Sequence, residues 1–232
     1  MLLRRKITLK DRLALSAALN RNETKGIVRL VRNIILMTLV IESAGTLLLI
    51  PPLVIANGGI GVWQAVFTSV MAFCNAGFDV FGTVEAPFVS LSGYVSNVTV
   101  CLTVMMLIVL GGLGFSVISE VLDNKFRLRR LSIHGKLVLL STAALILVGF
   151  LFFVIAERNY AMAPLHAGDK ILNAFFMSIT CRTAGFSSVD PSQMHAGSRA
   201  LMLLLMFIGA SPGSTGGGVK TTTFAIFVFM LL

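Results

Sequence analysis

Charged residues are scarce in this sequence. Asp, Glu, Lys and Arg make up 12% of its 232 residues, whereas hydrophobic residues make up 56% and the mean hydropathy is +0.90. Soluble domains carry about 25% charged residues, so the composition excludes an ordinary soluble domain and indicates an integral membrane protein. The apolar segments are also far longer than the core of a signal peptide, so we do not interpret them as a leader.

Cysteine is equally scarce. The three cysteines are Cys74, Cys101 and Cys181, which are far apart and form neither a CxxC motif nor a Cys/His ligand pattern. Because their number is odd and their spacing irregular, we expect no disulfide framework and no metal site. We interpret them as small buried thiols, and we expect no cofactor.

Basic residues are unevenly distributed. Nine of the nineteen Lys and Arg lie in residues 1–32 and five more lie in residues 123–136, whereas residues 57–94 contain none. This is the positive-inside asymmetry of a multi-pass plasma-membrane protein, and it predicts that residues 1–32 and 123–136 are cytoplasmic. We interpret the basic N-terminal part as an amphipathic helix on the membrane surface, and we expect no nucleic-acid partner.

Two short segments repeat one another, and both end in Ala-Gly-Phe. They are Phe73-Cys74-Asn75-Ala76-Gly77-Phe78 and Cys181-Arg182-Thr183-Ala184-Gly185-Phe186. Each follows a short apolar segment and lies between two hydrophobic runs that are long enough to cross a bilayer. We call residues 74–78 the first turn and residues 182–186 the second turn. The pattern predicts two pore loops, each with a half-length helix that enters the membrane and ends in a glycine turn.

The repeat predicts an all-α membrane protein with tandem helix–pore loop–helix repeats, re-entrant half-helices and one broken transmembrane helix. The predicted regions are a cytoplasmic linker 1–32, a repeat 33–124, a cytoplasmic loop 125–136 and a second repeat 137–232. Within them we expect long helices over 33–56, 95–119 and 137–156. We expect half-helices over 62–73 and about 170–180, with Pro51 and Pro52 at the outer end of the first helix and Asp169 as the N-cap of the second half-helix.

The last hydrophobic run is interrupted by a glycine-rich loop, residues 209–218. Its residues are Gly209, Ala210, Ser211, Pro212, Gly213, Ser214, Thr215, Gly216, Gly217 and Gly218. A kink needs a single Pro or Gly, so five glycines favour a movable gate below the pore, although a passive kink stays open as an alternative. The loop lacks the adjacent Gly-Lys of a phosphate-binding loop, because Val219 separates Gly218 from Lys220.

Other features have simpler interpretations. Residues 111–115, Gly-Gly-Leu-Gly-Phe, follow a membrane run, so we expect close helix contact and no dinucleotide site. Glu42 and Lys220 lie at membrane depth, where they need each other, water or the membrane surface as a partner. We expect Arg182 to point away from the pore axis and to pair behind the second turn.

These motifs resemble those of the bacterial Trk/Ktr/HKT potassium transporters, and the KtrB-type membrane subunit is the nearest match. The resemblance rests on both turns, on the basic segment 6–12 and on the long segment from Ser211 to Thr223, Ser-Pro-Gly-Ser-Thr-Gly-Gly-Gly-Val-Lys-Thr-Thr-Thr. In that family four helix–pore–helix repeats surround one axis. This chain looks like the second and third repeats, and we therefore expect a fragment or a truncated reading frame.

The resemblance implies a K⁺ filter built from both turns: Cys74, Asn75, Ala76, Gly77, Phe78, Arg182, Thr183, Ala184, Gly185 and Phe186. It also implies that residues 209–218, with Lys220, form an intramembrane gate. It further implies a homodimer on a cytoplasmic nucleotide-binding regulatory ring, K⁺ as the transported ion and uptake that Na⁺ stimulates. We therefore expect the pore-forming subunit of a K⁺ uptake system and no enzyme. The alternatives are a non-conducting fragment of such a subunit or a nucleotide-dependent membrane pump.

Overall fold

The computed structural model describes residues 27–231. The chain divides into two units, Met1–Ile41 and Glu42–Leu232. In the first unit, residues 27–41 are helical. The predicted surface helix of the N-terminal linker lies in residues that are largely outside the described part, so that interpretation stays a prediction.

The described residues form two successive sets of helices. The first set is α1 (Ile27–Asn57), α2 (Ile60–Phe73), α3 (Val98–Leu113) and α4 (Phe115–Asp123). The second set is α5 (Ile133–Ala156), α6 (Ala167–Thr180), α7 (Ala196–Phe207) and α8 (Thr221–Leu231). In both sets a long helix is followed by a 14-residue half-helix, α2 or α6. The prediction of an all-α protein with tandem repeats, half-helices and a broken last helix is confirmed.

Helix length and hydropathy are consistent with a membrane environment. Among the described residues, Val31–Asn57 and Ile133–Ala156 are long and apolar enough to cross a bilayer, with mean hydropathies of 2.1 and 2.8. The bent pair α3–α4 is a third candidate span, and α2 and α7 are shorter apolar helices. A half-helix of 14 residues is about 21 Å long, which is less than the hydrocarbon core of about 30 Å.

The half-helices form the buried centre of each repeat. α2 packs against α3, and α6 packs against both α5 and α3. On α6 the buried side chains include Ala174, Phe176 and Met177, and Met177 belongs to a core cluster with Phe153 of α5 and Leu205 of α7. The two repeats are also joined where Asn173 Nδ2 donates to the Val95 carbonyl over 2.9 Å.

The helix predicted over 95–119 is not continuous. α3 ends at Leu113, and α4 begins at Phe115 after a bend of 97°. Gly114 occupies the corner at φ 91°, where a side chain would be strained, and the N–H of Phe115 donates to Gly213 of the glycine-rich loop. The close contact expected from the neighbouring glycines does occur, because a Cβ on Gly111 would collide with the Phe73 carbonyl.

Two predictions about helix ends are also corrected. Pro51 and Pro52 lie inside α1, which continues to Asn57. His166 is the N-cap of α6, whereas Asp169 lies in its first turn and accepts a hydrogen bond from Ser96 Oγ at 2.7 Å. An Asp in the first helical turn of α6 still stabilises this helix through the positive end of its dipole. This explains why an acidic residue marks the start of α6 although it lies three residues after the N-cap.

Gly111 and Gly112 provide a matched test of the contact between α2 and α3. We expect Gly111→Ala to lower the free energy of unfolding by about 1–3 kcal/mol, because the new methyl group must displace the backbone at Phe73. Gly112→Ala is the control, since its Cβ would lie 3.8 Å from the Ala210 Cβ, an ordinary contact. The measurement is the thermal unfolding midpoint in detergent. Equal midpoints for the two variants would contradict a close contact between α2 and α3 at Gly111.

Candidate functional site

The two turns occupy equivalent positions at the ends of the two half-helices. α2 ends at Phe73 and α6 ends at Thr180. The N–H groups of Cys74 and Cys181, the C-cap residues, each donate to the carbonyl four residues earlier. The negative end of each helix dipole, equivalent to about half an elementary charge, is therefore directed at its turn.

The backbone of the two turns follows the same pattern. Positive φ angles occur at Asn75 (51°) and Gly77 (63°) in the first turn, and at Thr183 (67°) and Gly185 (84°) in the second. Glycine adopts such angles at little cost, but a β-branched residue such as Thr183 does so only where its surroundings hold it there. The matching angles show that the repeat extends from the sequence to the backbone conformation.

The two turns contact each other directly. A Cβ on Gly77 would lie 2.5 Å from the Ala184 carbonyl oxygen and 2.7 Å from the Gly185 Cα. Ala76, Phe78 and Gly185 are exposed, and residues of both turns border one cavity of about 420 Å³. The structure thus brings the two predicted turns into contact, and only glycine at position 77 permits this approach.

The glycine-rich loop, residues 209–218, lies between α7 and α8 and folds back on itself. The N–H of Ala210 donates to the Gly217 carbonyl, and the N–H of Gly209 donates to the Val219 carbonyl, both over 3.0 Å. A Cβ on Gly209 would collide with the Gly217 carbonyl. These bonds satisfy backbone groups that the broken helix leaves without helical partners, as an apolar environment requires.

Thr215 connects this loop to the first turn. Its hydroxyl donates to the Phe73 carbonyl over 2.8 Å and accepts a hydrogen bond from Asn75 Nδ2 over 2.9 Å. Its N–H donates to the Gly111 carbonyl over 3.1 Å. One residue of the loop therefore joins the end of α2, the first turn and α3.

The same loop also contacts the second turn and the bend between α3 and α4. The N–H of Gly217 donates to Thr183 Oγ1 over 3.1 Å. At the bend, the N–H of Ser211 donates to the Gly112 carbonyl over 3.0 Å. The residues at matching positions of the two turns, Asn75 and Thr183, are thus each held in a left-handed conformation by a contact with the glycine-rich loop.

The basic residues near the turns bind backbone oxygens. Arg182 is 6% exposed, and one terminal nitrogen donates to the Gly209 carbonyl over 3.2 Å. Lys220 Nζ donates to the Gly216 carbonyl over 2.7 Å. The possible pairing of Glu42 with Lys220 is not formed, because the Glu42 carboxylate lies near Cys74 Sγ, at 3.9 Å. Arg182 thus has its hydrogen-bond partner in the glycine-rich loop, outside its own turn, and its orientation relative to the pore axis stays a prediction.

Sequence reasoning missed the contacts that organise this site. The pairing of Thr215 with Phe73 joins residues 142 positions apart, and no local pattern signals it. The positive φ angles of Asn75 and Thr183 had a weak signal, since each precedes the glycine of its turn by two residues.

The family model described as a cation transport protein, TrkH, matches residues 1–231. The chain belongs to the TrkH cation transport protein family. It is 37% identical to the potassium/sodium uptake protein NtpJ of Enterococcus hirae, over 98% of this chain and 49% of that protein. It is also 37% identical to the Ktr system potassium uptake protein B of Bacillus subtilis, over 97% of this chain and 50% of that protein.

Known structures agree on the fold of this TrkH-family chain. The potassium transporter TrkH from Vibrio parahaemolyticus superimposes with a TM-score of 0.69 and 18% identity, covering 94% of this chain and 44% of that chain. The chain therefore spans about half the length of the relatives it matches. The matched family consists of cation transport proteins, so the chain belongs to a transport family.

The bridge made by Thr215 can be tested without a transport assay. We expect Thr215→Val to speed hydrogen exchange of the amides in residues 209–218 by about fivefold, because the variant loses its hydroxyl bonds while keeping a similar shape. Thr215→Ser is the matched control, since it retains the hydroxyl. Exchange would be followed by mass spectrometry of the purified protein in detergent. Identical exchange in the two variants would show that the hydroxyl does not hold the loop.

Proposed function

We propose that this chain supplies two parts of the K⁺ filter in the membrane subunit of a K⁺ uptake system. The observation that carries the proposal is the matched geometry of the two turns, each at the C-terminus of a half-helix and each with positive φ at equivalent residues. The names of the relatives, a potassium/sodium uptake protein and a Ktr potassium uptake protein, support K⁺ as the transported ion.

The physical basis is the replacement of water around a cation by backbone oxygens. K⁺ enters a narrow pore only if carbonyl dipoles take over its hydration shell at suitable distances. Glycines at positive φ let consecutive carbonyls face one side, and the negative ends of α2 and α6 add to the attraction. Residues 74–78 and 182–186 would each form about a quarter of the filter. The full filter of four such segments follows from the family resemblance.

We further propose that the glycine-rich loop is the gate of this pathway. The proposal is supported by its direct contacts with both turns through Thr215 and Gly217. Two basic side chains, Arg182 and Lys220, bind carbonyls of the loop and bring positive charge beside the path of a cation. While the loop occupies this position, it obstructs the pore sterically and repels cations electrostatically.

The remaining expectations belong to the same proposal. The complete subunit would cross the plasma membrane several times, with the N-terminal part of this chain in the cytoplasm, where its basic residues favour that side. By family resemblance it would act as a homodimer on a cytoplasmic nucleotide-binding ring, and Na⁺ would stimulate uptake. No resident cofactor is involved, because the carbonyls themselves coordinate the transported ion.

The filter assignment predicts a loss of selectivity in two glycine variants. In the complete transporter, Gly77→Ser and Gly185→Ser should each lower the ratio of K⁺ to Na⁺ uptake by about tenfold, which corresponds to ~1.4 kcal/mol of relative ion binding. At Gly77 the new Cβ would approach the Gly185 Cα, and at both positions the positive φ would be strained. Uptake would be measured in cells that lack their own K⁺ uptake systems.

The control for both variants is Gly93→Ser, since a Cβ at that position meets open space. Selectivity should then match that of the unmodified transporter. If Gly77→Ser and Gly185→Ser also retain normal selectivity at normal abundance in the membrane, the turns are not the filter.

The gate assignment predicts that deletion of residues 211–217 raises K⁺ flux. The obstruction and its nearby contacts with both turns are then removed, while α7 and α8 remain. Flux would be measured as the initial rate of Rb⁺ uptake, normalised to the amount of transporter in the membrane. An unchanged rate would favour the interpretation of this loop as a passive kink.

A further inference from the structure

A carboxylate lies just beyond the first turn and organises the segment that follows it. Asp79 comes two residues after Gly77. One of its oxygens accepts a hydrogen bond from the N–H of Phe81, and the other accepts one from the N–H of Ser90, both over 2.7 Å. The Phe81 ring in turn packs edge-on against Tyr94, with the ring centroids 5.4 Å apart. The segment that connects the first turn to α3 is therefore fixed at both of its ends.

Ser90 carries this connection across to the second turn. Its Oγ accepts a hydrogen bond from the N–H of Ser187 over 3.0 Å, and the N–H of Leu91 donates to the Ser187 carbonyl over 2.9 Å. Ser187 directly follows Phe186, the last residue of the second turn. The outer ends of both turns are thus joined by a continuous chain of hydrogen bonds, which we call the outer bridge: Asp79, Ser90, Leu91 and Ser187.

The backbone of Ser90 indicates that this bridge is under constraint. Ser90 has φ 47°, a conformation that a residue with a side chain adopts only where its surroundings require it. The carboxylate of Asp79 supplies that requirement, because its bond to the N–H of Ser90 is charge-assisted and therefore stronger than a neutral one. The side chain of Asp79, next to the first turn, thus fixes Ser90, whose hydroxyl binds the residue after the second turn.

We propose that Asp79 is a positioning residue for ion selectivity and that it acts through Ser90 on the spacing of the two turns. This inference rests on the proposed function of the turns as filter segments. Discrimination between K⁺ and Na⁺ requires carbonyls at a maintained separation, and each turn alone leaves its outer end free to move relative to the other. The outer bridge, together with the direct contact between Gly77 and Gly185, maintains that separation.

Asp79 could instead act only by its charge, which would concentrate cations near the pore. The two roles have different signatures. A local negative charge attracts K⁺ and Na⁺ equally, so its removal changes both uptake rates by the same factor and leaves their ratio unchanged. Loss of a positioning contact changes the ratio itself.

The experiment is a double-mutant cycle in the complete transporter, with the ratio of K⁺ to Na⁺ uptake as its readout. Asp79→Asn replaces one acceptor oxygen by an NH₂ group, and Ser90→Ala removes the acceptor for the N–H of Ser187. We expect each variant to lower the ratio by about threefold to tenfold, the range that corresponds to one hydrogen bond. The double variant should lower it no further than the stronger single variant, because both changes break the same bridge.

Two matched controls lie in the same segment. Glu85→Gln removes an exposed negative charge, and Ser92→Ala removes an exposed hydroxyl, so both should retain the selectivity of the unmodified transporter. The amount of each variant in the membrane is measured in parallel. If Asp79→Asn does not accumulate in the membrane, Ser90→Ala, the smaller change, still tests the inference.

An unchanged ratio in either single variant, or additive effects in the double variant, would overturn this inference. Its failure is distinct from failure of the filter assignment. If Gly77→Ser and Gly185→Ser relax selectivity while Asp79→Asn and Ser90→Ala do not, the turns form the filter without help from the outer bridge. If none of the four variants changes selectivity, the filter assignment itself is wrong.

Discussion

Backbone groups that leave a helix within an apolar environment must find new hydrogen-bond partners, and this constraint determines how the centre of the molecule is built. Residues 209–218 interrupt the last membrane run, and the bend at Gly114 interrupts another. The two interruptions satisfy each other, since Phe115 donates to Gly213 and Ser211 donates to Gly112. The glycine-rich loop and the bend at Gly114 therefore form a single structural unit. If either segment became a straight helix, backbone groups of the other would lose their hydrogen-bond partners.

The same unit holds the turns in their unusual conformation. Asn75 and Thr183 have positive φ angles that cost about 1–3 kcal/mol each in the absence of support. Thr215 binds Asn75, and Gly217 binds Thr183, so the loop supplies part of that support. The position of the loop and the conformation of the turns are consequently linked in free energy, because a displacement of the loop removes contacts that stabilise both turns.

The sequence was sufficient to predict the features that depend on local pattern. Run length distinguished half-helices from spanning helices, and the repeated Ala-Gly-Phe identified Gly77 and Gly185 as equivalent. The bend at Gly114 escaped prediction because a straight helix and a bent one have the same apolar composition. The role of Thr215 escaped for a different reason: its partner at Phe73 is distant in sequence, and a threonine in a glycine-rich loop has no distinguishing local environment.

Arg182 illustrates how a charge can remain buried beside the second turn. Burial of a guanidinium is costly unless polar groups compensate it. Here the compensation comes from backbone dipoles, because Arg182 follows the C-terminus of α6 and donates to the Gly209 carbonyl just beyond α7. Both helix ends carry partial negative charge. A terminal nitrogen of Arg182 therefore donates to a backbone carbonyl of the glycine-rich loop, and the position of the loop depends in part on this buried positive charge.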